Sequence, residues 1–167
     1  KATDFSSQEY AGMLHERVLS QVGTLSNGAA LFCFCPAVLG HSPDLDKLLL
    51  FFLREFDPVI NGGEDSTYAI IFCQSGMTSF KGIGIGFLRK VYNMLGRRFK
   101  KNIKGLYILH PTTALKTLFF FAKPFISKKF WRKVKYFYHH KKLLCHDVLS
   151  NATVFSGAMS SGGELIL

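Results

Sequence analysis

Carboxylate side chains, on which acid–base catalysis and hard-metal sites commonly rely, are unevenly placed in this sequence. The 167 residues include 21 Lys and Arg against 11 Asp and Glu, which gives a formal net charge of +10. Residues 66–146 hold 17 of the basic side chains and none of the acidic ones. No acid–base or metal site can therefore be built from Asp or Glu in that half of the chain.

Two short motifs place glycine or serine where an enzyme would use them, but their spacing fails. Gly82–Gly86 reads G-I-G-I-G after a predicted strand, yet position 87 is Phe rather than Gly, and no acidic residue follows about 20 residues later to hold a ribose. Ser75 lies outside a G-x-S-x-G elbow, and no carboxylate follows it before Asp147 to orient a histidine. We therefore predict no catalytic residue, no enzyme activity and no cofactor.

The cysteines and histidines do not have the spacing of a metal site. No cysteine belongs to a C-x-x-C pair, and three of the four lie in apolar, strand-like segments. Adjacent histidines such as His139 and His140 point in different directions on a helix or a strand, so their nearness to Cys145 and His146 is weak evidence for zinc. We interpret the cysteines as reduced structural thiols of a cytoplasmic protein and predict no metal. They are Cys33, Cys35, Cys73 and Cys145.

Consecutive phenylalanines in a predicted helix are the first sign of an apolar ligand. Phe119, Phe120 and Phe121 would span about 200° of a helix, so they cannot all face one core stripe. A helix buried on all sides would accommodate them. In a chain of this size we favour a helix that lines a cavity or covers an apolar ligand.

A basic segment follows, in which cations alternate with apolar side chains. On a helix its aromatic residues can share one face, which suits the surface of an anionic membrane. A solvated basic face with Trp131 in the core explains the pattern equally well. Single-stranded nucleic acid is a weaker alternative, because no RRM, KH or OB-like strand pattern is present, and we predict no nucleic acid partner. The predicted membrane contacts are Lys128, Lys129, Trp131, Arg132, Lys133 and Lys135.

The elements that position these residues follow from apolar periodicity and from Gly and Pro. An N-terminal helix is predicted over 6–23. Strands are predicted over 29–38, 68–73, 103–109 and 136–138, and helices from 44 to 57, 88 to 99, 112 to 121 and 127 to 134. Because strands alternate with helices, we predict an α/β fold with a parallel sheet and crossover helices.

The second half of the chain resembles a known family. The segments KKNIKGLYILHPT (100–112) and KTLFFFAKPFISKKFWRKVKYF (116–137) resemble the CRAL-TRIO lipid-binding fold. The resemblance is to its divergent BCH branch, found in Rho GTPase-activating proteins and in macro-domain proteins related to a ganglioside-induced differentiation factor. Upstream, DLDKLLLFFLREFDPVI and YAIIFCQSG fall in the order of that branch, so the resemblance covers about residues 28–148.

The resemblance implies a mostly parallel sheet that floors a hydrophobic pocket, with a mobile apolar gate helix after His110–Pro111. Its hinge would be Lys123 and Pro124. Family members bind lipids or prenyl groups, and BCH domains also bind small GTPases and one another. The phosphatidylinositol-exchanging branch carries Tyr-Pro-Glu where this chain has Phe99-Lys100-Lys101, which argues against that exchange. The implied pocket and gate residues are Leu106, Ile108, Leu115, Leu118, Phe119, Phe121 and Phe125.

We therefore expect a single domain over 1–167, with a core over 28–148, the helix over 6–23 and a flexible tail over 150–167. Since residue 1 is Lys and no signal pattern follows it, we expect part of a longer protein without a visible targeting segment. The predicted function is non-catalytic binding of an acyl, isoprenoid or phospholipid tail, with peripheral docking on an anionic membrane. The alternative is an interaction module for a small GTPase, for another BCH-like domain or for self-association.

Overall fold

Strands and helices alternate along most of the chain. The computed structural model describes residues 18–35, 44–63, 66–74, 85–144 and 153–154. The strands are β1 Leu19–Thr24, β2 Ala30–Phe34, β3 Tyr68–Cys73, β4 Ile103–Leu109, β5 Val134–Phe137 and β6 Thr153–Val154. The helices are α1 Leu45–Asn61, α2 Ile85–Met94, α3 Arg97–Asn102, α4 Thr113–Ala122, α5 Lys128–Trp131 and α6 His140–Leu144, with a 3₁₀ turn at Lys123–Phe125.

The strands form one sheet in the order β5-β4-β3-β2-β1-β6. Strands β2 to β5 pair in parallel, whereas β1 is antiparallel to both β2 and β6. The adjacent interior strands β3 and β4 are nearly continuous apolar runs, as expected for parallel strands that are covered on both faces. The predicted α/β class with a mostly parallel sheet is confirmed.

The sheet separates two apolar clusters, because successive side chains point to opposite faces. Leu31, Cys33 and Ile71 belong to the cluster that includes Leu143 of α6. Phe32 and Phe34 belong to the other cluster, where the rings of α1 meet them edge-on at centroid distances of 4.7 and 4.6 Å. This second, aromatic face of the sheet is the one on which the candidate site lies.

The predicted N-terminal helix is wrong at its carboxyl end. Residues 19–24 form strand β1, which pairs with β2 from Leu19↔Phe34 to Thr24↔Ala30. The helical spacing of apolar residues around Val18 and Leu19 does not decide the structure there, since pairing with β2 buries both side chains and overrides local propensity. Residues 6–17 lie outside the described residues.

The predicted tail contains an element that the sequence did not indicate. Thr153 and Val154 form β6 and pair with Thr24 and Gly23, so these two residues are not part of a flexible tail. The reason is their partner: β1, which was predicted as helix, offers them a free edge. The other residues of 150–167 lie outside the described part of the chain.

Other predicted boundaries also shift, among them that of the last predicted strand, which is observed as β5 over Val134–Phe137 instead of 136–138. Helix α1 continues past Pro58 to Asn61, where the Asn61 amide donates to the Asp57 carboxylate at 2.7 Å and supports the last turn. The predicted helix over 88–99 is divided at Gly96 into α2 and α3. Helix α5 ends at Trp131, because Val134 already pairs with β4 as the first residue of β5.

Candidate functional site

An apolar cavity of about 230 Å³ lies on the aromatic face of the sheet. Strands β3 and β4 form its floor and helices α1 to α4 form its walls. Apart from Lys100, its wall side chains are hydrophobic. Among them are Phe34, Phe52, Ile70, Phe72, Leu88, Val91, Leu95, Phe99, Leu106, Leu115, Phe119, Ile126 and Phe130.

One cavity wall comes from the apolar face that the sequence predicts over 88–99. All five residues of that face line the cavity, although the helix is divided at Gly96. Residues on both sides of the break at Gly96 therefore still point into the same cavity. These residues are Leu88, Val91, Tyr92, Leu95 and Phe99.

Helix α4 is the predicted gate, and the structure places its residues in two groups. Leu115 and Phe119 line the cavity together with Leu106 of β4. Leu118 is half-buried outside the cavity lining, and Phe121 is exposed. The four-residue spacing of Leu115 and Phe119 puts them on one helix face, whereas Phe121 lies about 120° from Leu115 and about 160° from Phe119 around the helix.

Two further predicted pocket residues lie elsewhere. Ile108 is fully buried in β4 but does not line the cavity, since it follows Leu106 by two residues towards the end of the strand. Phe125 is exposed in the 3₁₀ turn, where the Arg89 guanidinium lies 5.1 Å from its ring centroid. The structure therefore brings Leu106, Leu115 and Phe119 together and leaves the other four predicted residues outside the cavity.

The amino end of α4 is fixed to the sheet by a buried amide. The Gln74 side chain donates to Thr112 Oγ1 at 2.7 Å and accepts from the Thr112 backbone N–H at 3.0 Å. Thr112 is also the N-cap, because its hydroxyl accepts from the Leu115 N–H. Gln74 is 3% exposed and Thr112 is exposed, so the clamp joins a buried amide to the surface end of the helix.

The carboxyl end of α4 is held by exposed contacts. The predicted hinge residues Lys123 and Pro124 are both exposed in the 3₁₀ turn. Beyond it, the Ser127 N–H donates to the Tyr92 hydroxyl at 3.2 Å. Hydrogen bonding from the Ser127 side chain lowers the pKa of Tyr92 most, and this backbone hydrogen bond and the nearby Lys100 charge lower it further. The two ends of the helix are thus held very differently, with the clamp from the buried Gln74 at the first turn.

A basic cleft of about 770 Å³ adjoins the cavity between α3 and the segment from Ser127 to Lys133. Lys100 and Phe130 line both spaces. Lys100 lies 4.3 Å from the centroid of the Tyr92 ring, and its ammonium donates to the Tyr92 carbonyl at 3.0 Å. The cations that line the cleft are Arg97, Lys100, Lys101, Lys129, Arg132 and Lys133.

The six predicted membrane contacts occupy three different environments. Four are exposed cations: Lys128, Lys129, Arg132 and Lys135. Trp131 is half-buried, its ring meets Phe119 at 86° with centroids 5.7 Å apart, and its buried indole N–H has no hydrogen-bond partner among the described residues. The Lys133 ammonium turns inward and donates to the carbonyls of Lys100, Lys101 and Ile103 at 3.3, 3.3 and 2.6 Å.

Burial lowers the pKa of Lys133, and the charge of Lys104 lowers it further. Two of its three acceptors, the carbonyls of Lys100 and Lys101, belong to the last turn of α3, where backbone carbonyls need a partner, and the third, Ile103, is the first residue of β4. Lys133 thus connects β5 to α3 and closes one side of the basic cleft.

An exposed aromatic patch is the feature that sequence reasoning partly missed. Phe120, Phe121 and Phe125 are 69%, 55% and 46% exposed, and the rings of the first two meet at 5.8 Å. Phe120 was not among the predicted site residues. Its signal was nevertheless present, because three consecutive phenylalanines on one helix require that one of them face away from the core.

The described cysteines lie on the sheet away from the cavity. Cys33 and Cys73 are buried, Cys35 is half-buried, and none of these three thiols forms a disulfide. The Cys33 and Cys35 sulfurs are 3.6 Å apart, and this contact and burial raise the pKa of Cys35 to about 12. Within the described residues, no group of three or more His, Cys, Asp or Glu side chains is placed to hold a metal. Cys145 lies outside them.

Comparison with known protein families shows to which family this fold and cavity belong. The family model described as the divergent CRAL/TRIO domain matches residues 28–154. The chain belongs to the divergent CRAL/TRIO family. This fold is a lipid-binding one, and the resemblance stated from the sequence is confirmed.

Relatives of this divergent CRAL/TRIO domain are signalling proteins by name. The Rho GTPase-activating protein gacY of Dictyostelium discoideum is 36% identical over 59% of this chain and 14% of its own length. Rho GTPase-activating protein 1 of Mus musculus is 32% identical over 82% of this chain and 31% of its own. The chain thus spans about a third or less of these relatives.

Among solved structures, the crystal structure of Sfh5 matches with a TM-score of 0.55 at 10% identity, over 81% of this chain and 52% of that one. At this identity the match concerns the fold alone. In this divergent CRAL/TRIO domain, no helix of the described residues is long and apolar enough to cross a bilayer. The residues Phe99-Lys100-Lys101, which stand where the phosphatidylinositol-exchanging branch carries Tyr-Pro-Glu, lie at this site. Phe99 lines the cavity, Lys101 lines the cleft, and Lys100 lines both.

Proposed function

We propose that this domain is a non-catalytic lipid binder, which holds an acyl, isoprenoid or phospholipid tail in the apolar cavity and docks peripherally on an anionic membrane. The observation that carries the proposal is the apolar cavity of about 230 Å³ beside a strongly basic cleft. Each methylene that leaves water for such a cavity gains about 0.8 kcal/mol. No catalytic residue is needed for this activity.

The exposed side of α4 and α5 supports membrane docking. Phe120 and Phe121 are exposed apolar neighbours on α4, Phe125 is exposed in the turn that follows, and Lys128 and Lys129 are exposed just beyond it in the chain. A basic side chain near an anionic leaflet contributes about 1 kcal/mol, while exposed aromatic rings can enter the interface. The gate helix would then face the membrane from which a ligand enters.

Lipid extraction tests the cavity. We expect native mass spectrometry of the purified protein to show a bound lipid, and the Leu106→Trp variant to lose it because the indole fills the cavity. Met94→Trp is the matched control, since Met94 is exposed on α2 and does not line the cavity. Recovery of no lipid, together with no binding to vesicles that contain phosphatidylserine, would refute the proposal.

A second function is favoured by the names of the relatives. Both are Rho GTPase-activating proteins, although the chain covers only part of each. In this alternative the domain binds a small GTPase or another domain of its kind, and the cavity stays filled by side chains. The interaction module would be favoured if the purified protein carries no lipid and still co-purifies with a Rho-type GTPase. The Leu106→Trp variant should then co-purify with the GTPase to the same extent as the parent.

A further inference from the structure

We infer that the ligand is a single-chain lipid with a phosphate headgroup, whose chain occupies the apolar cavity and whose phosphate occupies the basic cleft. This inference rests on the proposed function and narrows the class of lipid. It combines three observations: the size of the cavity, the charge of the cleft and the two residues that the spaces share.

The size of the cavity favours one chain. Its volume is about 230 Å³, whereas pockets that enclose a drug-sized ligand measure roughly 300–1,000 Å³. A single alkyl or isoprenoid chain can place its end there, but the two chains of a phospholipid exceed this space.

The charge of the cleft favours phosphate. Six cations line it, from Arg97 on α3 to Lys133 before β5, and no carboxylate of the described residues pairs with them. The sequence places no Asp or Glu between residues 65 and 147 that could do so. Guanidinium groups bind phosphate oxygens through paired hydrogen bonds, and ammonium groups add compact positive charge. A polybasic peptide that carries a prenyl chain would be repelled here.

The shared residues place the two parts of such a ligand side by side. Lys100 and Phe130 line both the cavity and the cleft. The Lys100 side chain reaches over the Tyr92 ring at 4.3 Å, so its apolar stem borders the cavity while its charge lies at the boundary. A neutral lipid would leave the cleft without a partner, and free phosphate would leave the cavity empty.

Titration calorimetry with short soluble probes, below their critical micelle concentrations, tests the inference. Decyl phosphate should bind roughly tenfold or more tightly than decanol, since one charge-assisted contact is worth at least that factor. Butyl phosphate, inorganic phosphate and dioctanoyl phosphatidic acid should each bind more weakly than decyl phosphate.

Variants assign the two halves of the site. Lys129→Ala with Arg132→Ala should remove the preference for decyl phosphate over decanol. Lys141→Ala with Lys142→Ala changes the net charge equally at exposed positions of α6 that do not line the cleft, so the preference should remain. Leu106→Trp should weaken both decyl probes, and the butyl–decyl comparison on the unchanged protein gives the same information if that variant fails to fold.

The outcomes separate this inference from the proposed function. Equal affinity for decanol and decyl phosphate, or tighter binding of dioctanoyl phosphatidic acid, overturns the single-chain phosphate while leaving a lipid tail in the cavity. Inorganic phosphate that binds as tightly as decyl phosphate shows an anion site alone and also overturns it. Failure of every probe, with no lipid recovered from the protein, overturns both.

Discussion

Lys133 lies in the middle of the basic segment 128–135, yet its side chain turns inward to the end of α3. The sequence pattern did not distinguish Lys133 from its neighbours. Alternation of cations with apolar residues identifies the cations, but it does not show which of them lie near backbone carbonyls that accept hydrogen bonds. Two of the three carbonyls belong to the last turn of α3, and the third belongs to Ile103, where β4 begins. A residue predicted to contact a membrane is thus also a residue that holds two elements together.

Replacement of Lys133 should therefore reduce stability more than replacement of its neighbour Lys135. We expect Lys133→Met to lower the free energy of unfolding by about 1 kcal/mol, because charged hydrogen bonds to the α3 carbonyls are lost. Lys135→Met, at an exposed position, is the matched control. Urea unfolding of both variants measures the difference, and equal midpoints would contradict the assigned role.

Cys35 should make the free energy of unfolding depend on pH. Its pKa is raised from 9.0 to about 12 in the folded protein, so the native state keeps a proton that the unfolded chain releases. Stability from this group is complete below pH 9 and is lost as the pH rises towards 12. Urea midpoints between pH 8 and 11 should fall less steeply for Cys35→Ala than for the parent. Parallel curves would show that the thiol does not contribute.

Helix α4 shows, at the scale of elements, what the sequence could and could not predict. Its bounds were predicted to within one residue, because Thr112 caps it and Pro124 follows it. The choice among its phenylalanines was harder. Phe119 lines the cavity and Phe121 does not, since the direction of the apolar face depends on where α2 packs, and that contact is long-range.

The strands show the same division between local and long-range information. Strands β3 and β4 were predicted to the residue, since each is an apolar run bounded by turns or polar residues. Strand β1 was missed because its extended form depends on pairing with β2 and β6, which the helix-like spacing of its apolar residues does not reveal. The basic cleft was equally invisible, because it joins Arg97 and Arg132 from different elements.

The hydrogen bonds between Gln74 and Thr112 predict that the first turn of α4 is more stable against local opening than its last turn. Gln74→Ala removes both hydrogen bonds to Thr112, so amide hydrogen exchange over residues 115–117, whose N–H groups begin the hydrogen bonding of the helix, should accelerate roughly tenfold. Exchange in β4 should be unchanged. Thr113→Ala, one residue along at an exposed position, is the control. Equal protection in parent and Gln74→Ala would mean that packing alone fixes this end.

At the scale of the whole molecule, the charge of +10 is concentrated rather than spread. The aromatic patch and the exposed cations lie on neighbouring elements, so two forces of different range would act on the same membrane surface. Screening distinguishes them, because the Debye length shrinks from about 8 Å at physiological salt to about 3 Å at 1 M. Hydrophobic contact does not weaken in this way.

Vesicle binding should separate the two forces. For vesicles with phosphatidylserine, Lys128→Ala with Lys135→Ala should weaken binding strongly at low salt and little at 1 M. Phe120→Ser with Phe121→Ser should weaken it at both concentrations, since both rings are exposed on α4. Met94→Ser, another exposed apolar position, is the control. Loss of the Phe effect at either salt would restrict docking to charge.

The short ladder between β1 and β6 has a mechanical consequence. Gly23 pairs with Val154 and Thr24 with Thr153 in antiparallel register, although about 130 residues separate the partners. In an antiparallel pair, the start of β1 and the end of β6 lie at the same end of the ladder. A force applied to the chain at these two points would therefore separate the two residue pairs one after the other. Tension along the chain would therefore release β6 first, at low force, while the parallel strands around the cavity stayed paired.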